Sequence, residues 1–256
     1  MDLKDRVAII TGGTGGIGSA VAKAFIEKGA REVTIVDLDP DKVAETAENL
    51  GCVGVAADVT DESQVADLVE ATLNRSGPID IFFSNAGVGA EGGVEASNEA
   101  WQLQWDLHVM AHVYAARAVI PSMTARGEGY LVHTASAAGL LAAVGSAPYS
   151  VTKAAAIKLA EWLSITHGDD GIKVSVLAPQ GVNTAMAPRQ LGDGGTDGII
   201  EADDAAAAVV EAIEQERFYI LPHPEVATYV QRKAEDPDRW LAGMRRLRAR
   251  STDGAS

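Results

Sequence analysis

Short apolar runs alternate along this chain with longer segments in which apolar residues recur at helical spacing. A continuous run of about four or five apolar residues is typical of a strand buried on both faces of a parallel sheet. The predicted strands are Val7–Ile10, Val33–Val36, Val53–Ala57, Ile79–Phe83, Tyr130–His133, Val174–Leu177 and Phe218–Leu221. The predicted helices are Ser19–Lys28, one that starts at Pro40, Glu62–Arg75, Asn98–Arg126, Tyr149–His167 and Ala202–Glu216. Residues 137–148 are predicted to form a loop.

This alternation predicts an α/β fold, a doubly wound parallel sheet of about seven strands with helices on both faces. A length of 256 residues with 47% hydrophobic content suits a single domain over residues 1–256. Residues 183–200 contain four glycines, which favours a substrate lid over a plain surface loop. Residues 223–250 are expected to form a C-terminal helical extension.

Charge and targeting signals exclude several function classes. The formal net charge of −15 disfavours nucleic-acid binding. The charged N-terminus leads directly into a strand and no apolar stretch reaches about 18 residues, so neither a signal peptide nor a membrane span is expected. The single cysteine, Cys52, has no intrachain disulfide partner and is expected to be a small buried hydrophobe. A cytoplasmic protein is expected.

A glycine-rich turn, Thr11–Gly18, links the first predicted strand to the first predicted helix. Such a turn brings backbone N–H groups and the positive end of a helix dipole to one place, which suits the pyrophosphate of a dinucleotide. Glycine turns are common, so the motif alone is a weak signal. The glycines are not followed by Lys and Ser or Thr, which disfavours a mononucleotide P-loop.

An acidic residue, Asp37, ends the second predicted strand, nineteen residues after Gly18. A carboxylate at this place accepts hydrogen bonds from the adenosine ribose hydroxyls and repels a 2′-phosphate. No Arg or Lys lies in the segment 37–41 to compensate that repulsion. NAD is therefore expected, with NADP disfavoured. The simpler alternative is that Asp37 only starts a turn.

The candidate catalytic residues lie in the middle of the chain. Tyr149 and Lys153 are four residues apart and share one face of a predicted helix. Ser136 follows a predicted strand, and ligands of open α/β sheets bind beyond the carboxyl ends of the strands. Ser136 is therefore expected at the ligand crevice, with the loop 137–148 returning the chain so that Tyr149 faces it.

In order and spacing these motifs resemble those of the short-chain dehydrogenase/reductase family, from Lys4 to Met186. The resemblance implies a Rossmann-type dinucleotide-binding domain with Ser136, Tyr149 and Lys153 as the catalytic residues. It also implies cofactor-binding positions in the glycine turn, after the second, third, fourth and sixth strands, and on the catalytic helix. These positions are Gly12, Thr14, Gly16, Ile17, Gly18, Asp37, Asp58, Val59, Asn85, Ala86, Gly87, Tyr149, Lys153, Pro179, Val182 and Thr184.

The resemblance assigns the chemistry of hydride transfer to this trio. Tyr149 is the acid/base, although a free tyrosine with a pKa near about 10 is a poor base at neutral pH. The charges of Lys153 and of a bound nicotinamide are expected to lower that pKa to about 7 to 8, which requires roughly 3 to 4 kcal/mol. Ser136 holds the substrate oxygen, and Lys153 also binds the nicotinamide ribose. No metal is expected, because no His/Cys/Asp cluster suggests one.

Two positions depart from the family pattern. His108 stands where the family usually has an asparagine that anchors a water in the proton relay. A neutral imidazole can hold such a water, and its titration near neutrality would make the relay sensitive to pH. The alternative is a packed, structural histidine. Gln180 replaces the glycine that usually follows Pro179. The resemblance implies that Thr184 in this stretch holds the nicotinamide carboxamide, so the turn is either reshaped or gains a donor near the cofactor.

The sequence therefore predicts an NAD-dependent oxidoreductase that interconverts a small-molecule secondary alcohol and a ketone. Two alternatives stay open. One is a 3-oxoacyl thioester reductase, which usually prefers NADPH and is opposed by Asp37; the other is a dinucleotide-binding sensor or scaffold with little turnover. The resemblance also implies a homodimer or homotetramer that forms through the fourth and fifth predicted helices.

Overall fold

The computed structural model describes residues 1–185 and 197–253, with side chains as far as residue 250. The strands in this part of the chain are β1 (Val7–Thr11), β2 (Glu32–Asp37), β3 (Val53–Ala56), β4 (Ile81–Ser84), β5 (Gly129–Thr134), β6 (Ile172–Leu177) and β7 (Tyr219–Ile220). They form one parallel sheet in the order β3-β2-β1-β4-β5-β6-β7. The predicted doubly wound α/β fold is confirmed.

Helices follow the strands along the chain. They are α1 (Gly16–Glu27), α2 (Pro40–Leu50), α3 (Glu62–Ser76), α4 (Asn98–Trp105), α5 (Ala111–Arg126), α6 (Ala137–Leu141), α7 (Ala147–His167), α8 (Ala202–Gln215), α9 (Glu225–Glu235) and α10 (Pro237–Asp253). A π-helical turn, Asp106–Met110, joins α4 to α5. In the described residues, none of these helices is both long and apolar enough to cross a membrane.

Two apolar layers cover the two faces of the sheet. Side chains of α3, α5 and α7 pack on one face, and side chains of α1, α2 and α8 pack on the other. The strands of the centre are apolar without alternation because both of their faces are covered; all five residues of β1 are buried. This packing holds the carboxyl ends of the central strands in a fixed row.

The strand order reverses between β1 and β4, and this reversal positions the site. Connections that leave two neighbouring strands in opposite directions open a crevice beyond the carboxyl ends of those strands. The glycine turn follows β1, and the turn 85–87 follows β4. Ser136 and Pro179 lie just beyond the ends of β5 and β6 at the same edge.

Two elements differ from the sequence-based expectation. The predicted continuous helix 98–126 is interrupted by the π-helical turn, which contains one candidate site residue, His108; π-turns inside helices occur frequently at functional sites. The predicted loop 137–148 contains the short helix α6, whose first turn is capped by the Ser136 side chain. A helix of five residues is too short to show the periodicity from which helices are predicted.

Candidate active site

The glycine turn forms a tight cradle at the start of α1. Gly12 has a φ of +64°, and a Cβ on Gly18 would collide with the Gly12 carbonyl oxygen, so glycine is required at both positions. Helix α1 begins at Gly16, and no side chain in the described part of the chain caps it. Its first-turn N–H groups therefore face the crevice without side-chain acceptors, as an anion-binding helix start requires.

Asp37 lies directly against this turn. Its Oδ2 accepts hydrogen bonds from the Thr14 hydroxyl at 2.6 Å and from the Thr14 N–H at 3.2 Å. Its Oδ1 accepts a further bond from the Leu38 N–H at 2.9 Å. The structure thus brings together two predicted cofactor-binding residues, Thr14 and Asp37, that lie 23 positions apart. Ile17, also predicted at this place, is partly buried in the first turn of α1.

The turn 85–87 has a structural task besides any contact with a cofactor. Asn85 donates hydrogen bonds from Nδ2 to the Thr11 carbonyl at 3.0 Å and to the Gly12 carbonyl at 3.4 Å. Its Oδ1 accepts the Thr134 hydroxyl at 3.0 Å. The side chain therefore ties β1, β4 and β5 together. Ala86 adds a further hydrogen bond between this turn and β1, since its N–H donates to the Thr11 hydroxyl oxygen at 3.0 Å.

The predicted cofactor-binding pair, Asp58 and Val59, follows β3 at the same edge. The Asp58 Oδ1 accepts from the N–H of Thr60 at 2.8 Å and from its hydroxyl at 2.6 Å, which closes a local turn. Val59 is buried in the core cluster that α3 covers. Its packing fixes the path of the chain at this turn.

Ser136 is held from two directions. It caps α6, with its Oγ accepting the Ala138 N–H at 3.1 Å, and it donates to the Pro179 carbonyl at 3.4 Å. The same hydroxyl interacts with the Tyr149 phenol. Because β5 and α6 fix its backbone, the Ser136 hydroxyl is presented in one position between the end of β6 and the start of α7.

Tyr149 and Lys153 project from the first turns of α7. The helix is capped by Ser146, whose Oγ accepts the Tyr149 N–H at 3.3 Å. The Lys153 side chain is 2% exposed, and its Nζ donates to the Thr134 carbonyl at 2.9 Å. The same Nζ lies 5.6 Å from the centroid of the Tyr149 ring. The structure therefore places the predicted trio in one cluster.

Burial shifts the pKa of both groups away from their charged forms. It lowers the pKa of Lys153 to about 7 and raises the pKa of Tyr149, which the Ser136 hydrogen bond opposes. The polypeptide by itself therefore raises this pKa, and the lowering expected from Lys153 together with bound NAD⁺ stays a prediction. The physical reason is that removing the phenolate from water outweighs the stabilisation that the protein's own donors give it.

His108 is fully buried and both of its ring nitrogens have protein partners. Its Nε2 accepts the Val88 N–H at 3.2 Å, and its Nδ1 lies 3.1 Å from the Thr152 hydroxyl. Since Nε2 accepts, the neutral ring carries its proton on Nδ1 and donates it to Thr152. The ring also contacts Tyr149 edge to face, with centroids 5.5 Å apart.

Burial, with a smaller effect of the Lys153 charge, lowers the pKa of His108 to about 2. The imidazole is therefore neutral at every physiological pH. This corrects the sequence-based expectation that it titrates near neutrality.

Gly87 packs beside the His108 ring. A Cβ at Gly87 would lie 3.2 Å from the His108 Nε2 and 3.5 Å from the Lys153 Nζ. His108 thus connects the turn 85–87 to α7.

The segment after β6 reaches the glycine turn. A Cβ on Gly16 would lie 2.6 Å from the Thr184 methyl group, so Thr184 covers the start of α1. Val182 is buried and forms an isolated bridge with Ile200. Of the predicted lid 183–200, residues 186–196 lie outside the described part of the chain, and the lid stays a prediction.

Sequence reasoning missed three partners of the predicted residues. Thr134 supplies the carbonyl that holds Lys153, and Thr152 binds His108. Asp197 accepts a hydrogen bond from the Gln180 side chain at 2.9 Å. Each pair is at least 17 positions apart, and threonine or aspartate at such a distance carries no sequence signal.

Comparisons with known proteins agree with this arrangement. The short chain dehydrogenase family profile matches residues 6–193. A 1-deoxy-11-beta-hydroxypentalenate dehydrogenase from Streptomyces exfoliatus is 34% identical over 250 residues, which cover 92% of this chain and 90% of that protein. A CLA biosynthesis dehydrogenase/reductase from Lactiplantibacillus plantarum is 30% identical, with 88% of this chain and 90% of that protein covered.

A solved structure is also similar. It is a short chain dehydrogenase/reductase from Burkholderia phymatum in complex with NAD, with a TM-score of 0.86 and 30% identity, and the match covers 93% of this chain and 96% of that one. This chain therefore belongs to the short-chain dehydrogenase/reductase family of oxidoreductases.

Proposed function

We propose that this protein is an NAD-dependent dehydrogenase that interconverts a secondary alcohol and a ketone, with Tyr149 as its acid/base. One observation carries the proposal. Ser136, Tyr149 and Lys153 converge at the carboxyl edge of the sheet, where the Ser136 hydroxyl interacts with the phenol and the Lys153 Nζ lies 5.6 Å from its ring. A hydroxyl, a phenol and a buried lysine amine with a pKa of about 7 in one crevice suit proton transfer to or from an alcohol oxygen.

The crevice fits a dinucleotide, as the uncapped start of α1 and the carboxylate beside it indicate. The first-turn N–H groups of α1 suit the pyrophosphate, and Asp37 suits the ribose hydroxyls. A 2′-phosphate beside the Asp37 carboxylate would be repelled, which favours NAD over NADP. The similar structure from Burkholderia phymatum contains NAD, and this supports the same choice.

Bound NAD⁺ would supply the hydride acceptor at its nicotinamide ring. Ser136 donates to the substrate oxygen and holds it against the phenol. Tyr149 takes the hydroxyl proton during oxidation and returns it during reduction. Lys153 in its protonated form places a positive charge near the phenol and, with Thr134 as its anchor, orients toward the nicotinamide ribose. His108, which is neutral and holds Thr152 and the Val88 N–H, positions α7 and the turn 85–87 around this cluster.

The similar Streptomyces protein is named for a substrate that bears a hydroxyl group. For this chain we propose the same coarse class, a small molecule with a secondary hydroxyl. Thioester reductases usually prefer NADPH, which Asp37 opposes, and the sensor alternative requires that Ser136, Tyr149 and Lys153 catalyse little turnover.

The test is NADH formation with a panel of cyclic and linear secondary alcohols, with a parallel assay of NADPH oxidation by a 3-oxoacyl thioester. Alcohol-dependent NADH formation that Tyr149→Phe abolishes is the expected result. NADPH-dependent thioester reduction without alcohol oxidation would establish the reductase alternative. NAD binding with no turnover of either class would establish the sensor alternative.

A further inference from the structure

A second group of polar side chains lies beside the trio. Gln180 follows Pro179, whose carbonyl accepts the Ser136 hydroxyl at 3.4 Å. Strand β7 pairs with β6 through Leu177 and Ile220, so the chain beyond β7 emerges at the same edge. It brings His223 to Gln180, whose backbone N–H donates to the His223 Nδ1 at 3.2 Å. The two residues, 43 positions apart, are neighbours at the catalytic end of the crevice.

The amide of Gln180 is locked in orientation. Its Nε2 donates to one Asp197 carboxylate oxygen at 2.9 Å, and the Tyr229 hydroxyl donates to the other at 2.9 Å. An amide held by its nitrogen presents its oxygen as a fixed acceptor. The Gln180 Oε1 is buried and has no partner among the described residues.

His223 presents the opposite polarity. Its side chain is 2% exposed, and its Nε2 has no partner in residues 1–185 or 197–253. Since Nδ1 accepts from Gln180, the neutral ring carries its proton on Nε2. A donor and an acceptor, each without a partner in the described residues, therefore belong to two side chains joined through the N–H of Gln180, which directly follows the Ser136-bound Pro179. Buried polar atoms in native proteins are nearly always paired, so such a combination indicates a partner that residues 1–185 and 197–253 do not supply.

We propose that Gln180 and His223 bind a second hydroxyl group of an uncharged substrate, a group that donates to the Gln180 Oε1 and accepts from the His223 Nε2. This inference rests on the proposed function and adds the substrate class, an alcohol with a further hydroxyl near the reacting carbon. A hydroxyl both donates and accepts. A carboxylate would face the Gln180 oxygen with the Asp197 charge behind it, and an ammonium would face the His223 donor.

The experiment compares cyclohexanol with the 1,2-, 1,3- and 1,4-cyclohexanediols and with 3-hydroxycyclohexanecarboxylate. The readout is the ratio of kcat/KM for each compound to that for cyclohexanol, with NAD. At least one diol is expected to exceed cyclohexanol by about tenfold or more, because sites built to hydrogen-bond a hydroxyl reject analogues that lack it. Gln180→Met and His223→Phe, which remove the two polar atoms at similar volume, are each expected to lower that ratio by about fivefold or more.

Two variants serve as matched controls. Gln215→Met and His167→Phe make the same chemical changes on α8 and α7, where Gln215 binds Glu211 and His167 binds Asp170 at the surface. Both should keep the diol ratio of the unmodified protein. If His223→Phe does not fold, the diol comparison in the unmodified protein and in Gln180→Met still decides the matter.

The outcomes separate this inference from the proposed function. Equal kcat/KM for diols and cyclohexanol, a preference for the carboxylate, or an unchanged ratio in Gln180→Met would overturn the subsite. If no alcohol is oxidised, the proposed function fails, and the subsite is then decided by thermal shift of the NADH-loaded protein. A stabilisation by a diol but not by cyclohexanol, lost in Gln180→Met, supports it. If no diol stabilises the protein in this way, the subsite is refuted, and ordinary water is the partner of both atoms.

Discussion

The Lys153 ammonium nitrogen donates a hydrogen bond to the Thr134 carbonyl oxygen over 2.9 Å, from a side chain that is 2% exposed. One hydrogen bond to a carbonyl offsets only a small part of the free energy that removing an ammonium group from water costs. Burial accordingly lowers the pKa of Lys153 from 10.5 to about 7. The position is suited to catalysis and unfavourable for stability, a combination typical of functional sites.

The first prediction concerns the pH dependence of stability. Between pH 7 and 10.5 the unfolded chain holds a proton on Lys153 that the folded chain has lost, so the free energy of unfolding rises with pH across this window. Lys153→Met removes this unfavourable contribution, on the order of 4 kcal/mol at neutral pH, and also one hydrogen bond worth about 1 kcal/mol. The variant is therefore expected to be more stable near pH 7, with a gain that shrinks as the pH rises.

Urea unfolding from about pH 6.5 to about pH 9.5 checks this prediction. Lys158→Met is the matched control, since Lys158 is on the same helix with a side chain that is 78% exposed. It should show no such trend. A Lys153→Met protein that is less stable than the unmodified protein near pH 7 would contradict the argument.

The second prediction concerns cofactor choice. Asp37 presents its carboxylate at the glycine turn through Thr14, so NAD should bind at least about tenfold more tightly than NADP, or roughly 1.4 kcal/mol. Asp37→Ala should reduce the ratio of the affinity for NAD to the affinity for NADP. Asp41→Ala, which removes the same charge from the exposed first turn of α2, should leave that ratio unchanged. Titration calorimetry with both cofactors is the measurement, and equal affinities in the unmodified protein would refute the assignment.

A third prediction separates chemistry from binding. Tyr149→Phe should abolish most turnover and keep NAD affinity nearly intact, because the ring stays and the proton donor is lost. Lys153→Ala should reduce both turnover and NAD affinity, since Lys153 is assigned to the phenol and to the ribose. Tyr219→Phe loses only a surface bond to Glu161 and should retain activity. A near-normal kcat in Tyr149→Phe would overturn the proposed mechanism.

The fourth prediction assigns His108 as a positioning residue. Its pKa of about 2 keeps the imidazole neutral, so the pH–rate profile of His108→Asn should keep its shape between about pH 5.5 and 7.5. His108→Leu removes the imidazole that accepts the Val88 N–H and contacts the Thr152 hydroxyl. Its kcat should fall about tenfold or more, while NAD affinity changes little.

His112→Leu is the control for loss of a buried histidine. His112 lies one turn further along and binds only His133 among the described residues, at 2.9 Å. This variant should lose stability and retain the kcat of its folded fraction. If His108→Leu and His112→Leu behave alike, or if the pH–rate profile of His108→Asn flattens, the positioning role is wrong.

The contribution of a neutral His108 to the free energy of unfolding should persist above pH 6.5 and be lost as the pH falls toward about 2.

The fifth prediction concerns assembly. Large apolar side chains are exposed on α4 and α7: Leu103, Trp105, Val151, Trp162 and Ile165, the last of them 83% exposed. We propose that these helices pair between subunits as the family resemblance implies. Trp162→Glu combined with Ile165→Glu should shift the mass measured by light scattering toward the monomer. Leu241→Glu on α10, also at an exposed apolar residue, should not. A monomeric unmodified protein would refute the proposal.

Much of the fold could be read from local patterns because those patterns act over few residues. The run Val7–Ile10 is apolar at every position, and a strand with such a run needs cover on both faces, which implies helices on both sides of a parallel sheet. Tyr149 and Lys153 share a face because one helical turn separates them. The glycine turn predicts its own conformation, since Gly12 must adopt a positive φ.

Other properties were decided by tertiary structure, since they depend on residues far apart in the chain. The neutrality of His108 follows from Val88 and Thr152, 20 and 44 positions away, and from the packing that excludes water. The Tyr149 pKa rises because desolvation by the whole site exceeds the stabilisation that the chain itself gives the phenolate. Gln180 and His223 become neighbours only because β7 pairs with β6. Sequence patterns specify backbone form and residue type, whereas burial and long-range pairing set the charge and hydrogen-bonding state of each side chain.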